Sequence, residues 1–338
     1  MAYTTIDDPT AYFKVQLWTG DGVAIGSGGK AIVFDDTDTD MQPDLVWIKE
    51  RDSTSKHQVI DSARGVTKHI DIGDETTAES TQSEGLTTFG SDGFTVGENG
   101  AVNQDSQTYV AWCWKESATA GFDIVLYTGT GSTATPSHSL SAVPHLMLVQ
   151  RRNQAEGCQV YHHKNTSEPE TDALELNTVA ATADAANRFN DTAPTSSVFT
   201  VESHSTTNEA DDTYVAYLFS EKQGYSKFGS YTGNNDNGDG PFIFCGFRPA
   251  FLICKKTGGT ADWIIVDSKR DTGNVTENYL HVDTDVETTY STNRVDLLSN
   301  GFKLRGNSEQ FNIATTYVYI AFAEAPLVNS NGVPSNAR

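Results

Sequence analysis

One string returns three times along this chain. TYVAWCWKE at Thr108 recurs as TYVAYLFSE at Thr213 and TYVYIAFAE at Thr316. Three further landmarks keep the same order and the same interval of roughly 105 residues. WTGDG at Trp18 returns as YTGTG at Tyr127 and YTGNN at Tyr231; PDLVWIK at Pro43 returns as PHLMLVQ at Pro144 and PAFLICK at Pro249; DGFTVG at Asp92 returns as SVFTVE at Ser197 and NGFKLR at Asn300. Four landmarks in one order, three times over, mark an internal triplication. The domains are set at residues 1–118, 119–223 and 224–328, with a polar tail at 329–338. A repeat of this length can bury its own core, unlike a solenoid repeat, so the expectation is three beads in a row, closely packed because the links between them are short.

Within a unit the pattern is strand, turn, strand. YFKVQLW, AIVF, DLVWIK, HQVID, GFTVG and YVAWCW are short and rich in β-branched and aromatic residues. Asp21-Gly22, Asp92-Gly93, Asn99-Gly100, Asn237-Gly238 and Asn300-Gly301 separate or follow such segments with the chemistry of tight hairpins. The best helical candidate is the alanine-rich stretch at 171–189, read as a short helix or a long loop. This predicts an all-β chain of three tandem antiparallel β-sandwich domains, jelly-roll or lectin-like, with a barrel as the alternative.

The closing string tests whether it is a site or a core. Val110, Trp112 and Trp114 share one face with Val215, Tyr217, Phe219 and Val318, Ile320, Phe322; the opposite face, Tyr109, Ala111 and Cys113 with their copies, is also mostly apolar. A strand apolar on both faces is covered on both. Cys113 is replaced by Leu218 and Ala321, so it acts as a volume and not as a nucleophile. Cys158, Cys245 and Cys254 likewise have no CxxC spacing and are expected to be free and buried.

Charge bounds the partners. With 45 acidic against 23 basic residues and a formal net charge of −22, long-range repulsion disfavours nucleic acid and anionic membranes. No apolar run has the length of a transmembrane helix and MAYTTIDDPT lacks the parts of a signal peptide, so neither membrane insertion nor signal-directed export is expected.

Chemistry is hard to locate in this sequence. His57, Asp61 and Ser62 lie near one another without the GxSxG elbow. Asp61/Arg64 and Asp267/Arg270 repeat as an aspartate followed by an arginine three residues on, which reads as a structural ion pair, and the second unit lacks it. His162 and His163 point to opposite faces of a strand and have no metal spacing. The acidic run FDDTDTDMQPD offers Asp36, Asp38 and Asp40 as weak calcium ligands, without the glycine and glutamate of an EF-hand. The turn after the first strand of each unit has an aromatic at its root, Trp18, Tyr127 and Tyr231, which either serves ligand recognition or closes the end of its own core, the plainer reading. No catalytic residue, metal site or cofactor is expected.

The repeat strings resemble a family of uncharacterised virion proteins of marine tailed bacteriophages, including cyanophages. The resemblance is carried by YTTIDDPTAYF at 3–13, PDLVWIKERD at 43–52, SDGFTVG at 91–97, TYVAWCWK at 108–115, GYSKFGSYTGN at 224–234, GFRPAFLICK at 246–255, LSNGFKLR at 298–305 and YIAFAEAPLVNSNGVPSNAR at 319–338. It implies a non-enzymatic particle component, made in the host cytoplasm and placed on the virion exterior: a tail fibre, receptor-binding appendage or head decoration. Its partners would be other virion proteins and host cell-surface glycan; a homo-oligomer is expected, and a trimer would be natural for a phage surface protein. The alternatives from other classes are a host-polysaccharide depolymerase and a calcium-dependent lectin.

Overall fold

The computed structural model describes residues 3–34, 39–282, 287–289 and 294–334. The chain is nearly all β, built from several antiparallel sheets, and among the described residues none closes into a barrel. Each repeat forms a six-stranded sheet of the same order. In the first, the opening strand Phe13–Thr19 pairs with the closing strand Thr108–Trp114, which pairs with Leu45–Glu50, and Gln58–Asp61, Lys68–Asp71 and Ser80–Thr81 follow outward. The second and third sheets repeat this order, with closing strands Thr213–Phe219 and Thr316–Pro326 central in the same way. Strands Lys30–Val33, Leu86–Gly90 and Gly93–Val96 make a small three-stranded sheet in the first unit, matched in the third by Phe242–Phe244, Val295–Leu298 and Gly301–Leu304. The second unit has only the bridges Ala134 to Val201 and Ser137 to Val198 at that place.

The alanine-rich stretch at 171–189 is neither one helix nor a loop. It holds strand Asp172–Glu175, the two-residue strand Ala183–Asp184 and a single helical turn, Ala186–Phe189. Asp172–Glu175 occupies the place of Lys68–Asp71 and Asn278–His281 in the other sheets, and burial of Ala173 and Leu174 there outweighs alanine's preference for helix.

The two apolar faces of each closing strand are both covered. Tyr109, Ala111 and Cys113 belong to an apolar cluster confined to the first unit, where they meet Ile32, Leu86 and Phe94 of the small sheet. The second and third units have corresponding clusters of their own. The opposite faces do something else: Val110, Trp112, Trp114, Val215, Tyr217, Phe219, Val318, Ile320 and Phe322 all lie in one continuous core. Trp114, Phe219 and Phe322, the same position in three repeats, touch one another with ring centroids 6.3, 5.7 and 5.5 Å apart. Three equivalent residues in mutual contact surround a common axis. The units are therefore not separate beads in a row but three sheets facing a shared aromatic centre, which fixes the ends of the repeat array against each other.

Candidate functional site

Contacts between units begin from the fourth strand of each sheet. Asp61, His162 and Asp267 end this strand in the three repeats and are all buried. Arg64 Nε donates to Asp61 Oδ2 at 2.5 Å and Arg270 Nε to Asp267 Oδ2 at 2.6 Å, and both pairs are completely sealed from solvent. A sealed ion pair survives only when its remaining polar atoms are satisfied, and here the neighbouring unit satisfies them. Tyr217 of the second unit donates to Asp61 Oδ2 at 2.8 Å and accepts from Arg64 Nη2 at 3.2 Å. Trp112 of the first unit donates to Asp267 Oδ2 at 3.2 Å, with the Arg270 guanidinium 5.9 Å above its ring.

The second unit's departure from the Asp-x-x-Arg pattern now has a cause. Its fourth strand faces the third unit, where the position of Trp112 and Tyr217 is Ile320, a side chain with no donor. An aspartate there would be buried without a partner. His162 stands in its place and donates Nε2 to the backbone carbonyl of Tyr319 at 3.1 Å. First unit to second, second to third and third to first, the contacts close a ring. One residue before this strand in the first and third units, two further bonds cross to a neighbouring unit: His57 Nε2 donates to His281 O at 2.8 Å and Trp263 Nε1 to Glu175 O at 2.9 Å.

His57, Asp61 and Ser62, close together in sequence, thus have three separate tasks. His57 Nδ1 accepts from Trp47 Nε1 at 2.8 Å while Nε2 donates across the seam, which holds the ring neutral. Burial then drives its pKa down to about 3. Asp61 is held by Arg64 and Tyr217, and Ser62 Oγ donates to Asp44 Oδ1 at 2.9 Å. His162 is fixed in the same way as His57, its Nδ1 accepting from Lys164 N at 3.2 Å, and burial lowers it to about 3. His163 donates instead to Phe228 O at 2.6 Å.

The aromatic roots of the turns are stacked, not presented. Trp18, Tyr127 and Tyr231 lie parallel to Tyr109, Tyr214 and Tyr317 of the closing strands, with centroids 5.2, 5.1 and 5.0 Å apart. Each also donates to a backbone carbonyl of its own unit, Val102, Thr207 or Phe311. Each ring also meets a second aromatic of its own unit near edge-on, Phe94, Phe199 or Phe302. Of the calcium candidates, Asp40 is exposed, and Asp36 and Asp38 lie outside the described residues. Among the described residues no group of three His, Cys, Asp or Glu side chains is placed to hold a metal ion, and all four cysteines are free and buried.

A repeated asparagine escaped the reading by landmarks. Asn103, Asn208 and Asn312, all fully buried, accept from the backbone N–H of Asp21, Thr130 and Asn234 in the turn after the opening strand. Their amide groups donate back to Asp21 Oδ1, Ser132 O and Asp236 O. The signal in the sequence is an asparagine five, five and four residues before the closing string, out of strict register in the third unit and with different flanking residues in each.

The seams also differ in charge. Where the first unit meets the second, Glu116, Asp44 and Asp123 share one neighbourhood: Glu116 N donates to Asp44 Oδ2 at 2.8 Å and Glu116 Oε1 accepts from Ile124 N at 3.1 Å. Burial, with the carboxylates of Asp123 and Asp44, pushes Glu116 up to about 7. Where the second meets the third, Glu221 replaces Glu116 beside Lys227 and His163, and these partners outweigh burial to hold it near 2.

Comparison with the curated proteins and with the solved structures finds no match. A family model does match, and it runs through all three repeats, from Asp8 near the opening strand of the first sheet to Pro326 at the end of the last closing strand. The chain belongs to the family described as a domain of unknown function (DUF7483), over residues 8–326.

Proposed function

We propose that this chain is a non-enzymatic bacteriophage virion surface protein, a tail fibre or receptor-binding appendage or a head decoration, acting in particle structure and host-surface adsorption. Each unit is taken as an antiparallel β-sandwich of jelly-roll or lectin-like type, the six-stranded sheet forming one layer. The observation that carries the reading is the use made of the repeated polar residues. Asp61, Arg64, His162, Asp267 and Arg270, the groups best suited to chemistry, are committed to joining one unit to the next. A block whose three parts interlock is suited to holding its shape on a particle exposed to solvent, proteases and changing salt. The resemblance of its repeat strings to virion proteins of marine tailed phages supports the same reading.

Its partners would be other virion proteins and a host-surface glycan. Antibody labelling of purified virions by electron microscopy, with quantitative mass spectrometry of the same particles, tests the proposal. Label over the head in many copies supports decoration, label at the tail in few copies supports an appendage, and absence from washed particles overturns the reading.

A further inference from the structure

The small sheets of the first and third units each end in a strand with one open side. Lys30–Val33 is the outer strand of the first and Phe242–Phe244 that of the third, and among the described residues neither has a partner strand on its far side. In the third unit the side already used can be fixed. Leu304 N donates to Pro241 O and Cys245 N to Asn300 O, so the backbone groups of residues 241, 243 and 245 turn toward strand Gly301–Leu304. Alternation along an antiparallel strand then turns the N–H and C=O of Phe242 and Phe244 outward. Ile243 is buried in the core of its unit, while Phe242 and Phe244 lie on the solvent face, 44% and 56% exposed. The open stretch is short. Pro241 lacks an N–H at one end, and at the other Gly246 O already accepts from Leu327 N and the Tyr3 hydroxyl.

The repeat shows that the fold does not require these rings. Phe94, Phe199 and Phe302 face Ile32, Pro136 and Ile243 across the same two segments, which makes Ala31, Thr135 and Phe242 equivalent, and likewise Val33, Ser137 and Phe244. The second unit interrupts the strand with Pro136 and places the polar Thr135 and Ser137 outside. The first begins it with Lys30 and a small Ala31. Charge, proline and small or polar side chains keep an exposed edge from pairing with another chain. The third unit has none of them within its strand and places two phenylalanines there instead. The residues in the row across the sheet from Phe242 are Lys303 and Asp296, paired with Asp239 and Arg305, so the surroundings are close to neutral in a chain of net charge −22.

A bare row of outward N–H and C=O groups fits another extended backbone. This row fits itself. With a twofold axis beside Ile243, Phe242 stands opposite Phe244 of a second copy, and Phe244 opposite its Phe242. Both pairs are of the kind that exchanges two backbone hydrogen bonds, and on the solvent face each ring meets a ring. Gly301, opposite Phe244 in its own sheet, has no side chain to crowd that ring. The twofold register demands that the two outward residues suit each other, a demand that a pair of aromatics meets and that an edge made for a different partner would not have to meet. We infer that Phe242–Phe244 is the interface of a twofold homodimer, in which the small sheets of two third units join edge to edge into one continuous sheet. The inference concerns how copies join and is independent of where on a particle the protein sits.

Sedimentation velocity of the full chain over about a hundredfold range of concentration is the test, with unfolding midpoints measured on dilute protein. The native chain is expected to pass from monomer to dimer with no larger species. It should dimerise more tightly as salt is raised, because apolar pairing works against repulsion between two bodies of net charge −22 and salt screens that repulsion. Phe242→Thr with Phe244→Ser copies the polar character of the second unit; it is expected to keep the midpoint and weaken the dimer at least about tenfold, the scale of two lost ring pairs. Phe244→Lys, which sets a charge on each side of the axis, is expected to do the same. Val33→Ser, at the equivalent place on the first unit's edge, should change neither. A monomer at every concentration, assembly beyond a dimer, tighter association at low salt, unchanged association in the two phenylalanine variants, or an equal loss in Val33→Ser would each overturn the interface. Because the readout uses purified protein, its failure leaves the virion labelling result untouched, and the reverse also holds.

Discussion

At the scale of residues, the seams set how stability answers to pH, and two groups pull in opposite directions. His162 has its pKa lowered by burial to about 3, so the folded state resists a proton that the unfolded chain takes up near 6.5. Its contribution is present above pH 6.5 and is lost as pH falls toward 3, at a slope of up to about 1.4 kcal/mol per pH unit. Glutamine can donate to Tyr319 O without titrating. Unfolding midpoints of His162→Gln measured from pH 7 to 4 are expected to fall less steeply than those of the native chain; parallel curves would refute the assignment. Glu116 behaves in the opposite sense, since a carboxyl raised to about 7 contributes stability that is complete below 4.5 and lost as pH rises through 7. Glu116→Gln is therefore expected to gain on the native protein at pH 8 and to lose that advantage at pH 5. The sealed pair gives a third test. Arg64→Ala leaves Asp61 buried beside Tyr217 and is expected to cost about 3–5 kcal/mol in urea unfolding, whereas Asp61→Leu with Arg64→Met, which removes both charges, costs clearly less.

At the scale of elements, the turn after each opening strand shows how much geometry a repeat preserves while its sequence drifts. Gly20, Gly129 and Gly233 follow Trp18-Thr19, Tyr127-Thr128 and Tyr231-Thr232, and a Cβ on any of them would lie 2.0 to 2.1 Å from the carbonyl oxygen of Gln104, Glu209 or Ile313. The backbone loop clamped by Asn103, Asn208 or Asn312 passes too close for a side chain. Gly20→Ala is expected to destabilise by about 1–3 kcal/mol, while Gly26→Ala, with nothing within 4 Å, stays within about 0.5 kcal/mol. The same comparison explains what could be read from sequence. Strands such as Leu45–Glu50 and Thr108–Trp114 are legible because burial on a pleated sheet imposes apolar runs of fixed length. Lys68–Asp71 and Ser80–Thr81 are not, because at the sheet margin they are short and polar. Asp172–Glu175 is hidden in an alanine-rich string whose local preference is helical, and only its register in the repeat marks it as strand. The closing strand's two apolar faces announce that both are covered. They do not say by what, since a residue pattern records burial without naming the neighbour. The exchange of Asp61 and Asp267 for His162 is likewise uninterpretable until Tyr217, Trp112 and Ile320 are seen opposite them.

At the scale of the whole molecule, the consequence of a shared core is cooperativity across units that the sequence presents as repeats. In a linear array each unit contacts only its neighbours, and unfolding can begin at one end and propagate. Here the last unit is packed against the first: Arg270 and Asp267 meet Trp112, Phe13 stacks on Phe322 at 5.3 Å, and His57 reaches His281. Removing one unit would expose the inward faces of the other two, including Trp112 and Trp114, so a fragment of residues 119–223 retains its own small cluster yet loses the larger core on which Tyr217 and Phe219 depend. The centre of the aromatic triangle is where this is sharpest. Trp114→Ala is expected to cost about 3–5 kcal/mol, the range for emptying a large aromatic site, and the loss should be felt in all three units because Phe219 and Phe322 lose the same neighbour. Native-state hydrogen exchange followed by mass spectrometry distinguishes the possibilities. A ring with one core predicts that protection in Thr108–Trp114, Thr213–Phe219 and Thr316–Pro326 falls together in Trp114→Ala, and that calorimetry of the native chain shows a single transition. Loss of protection confined to the first unit, or three separable transitions, would mean that the units are energetically independent and that their contacts around Trp114 contribute little.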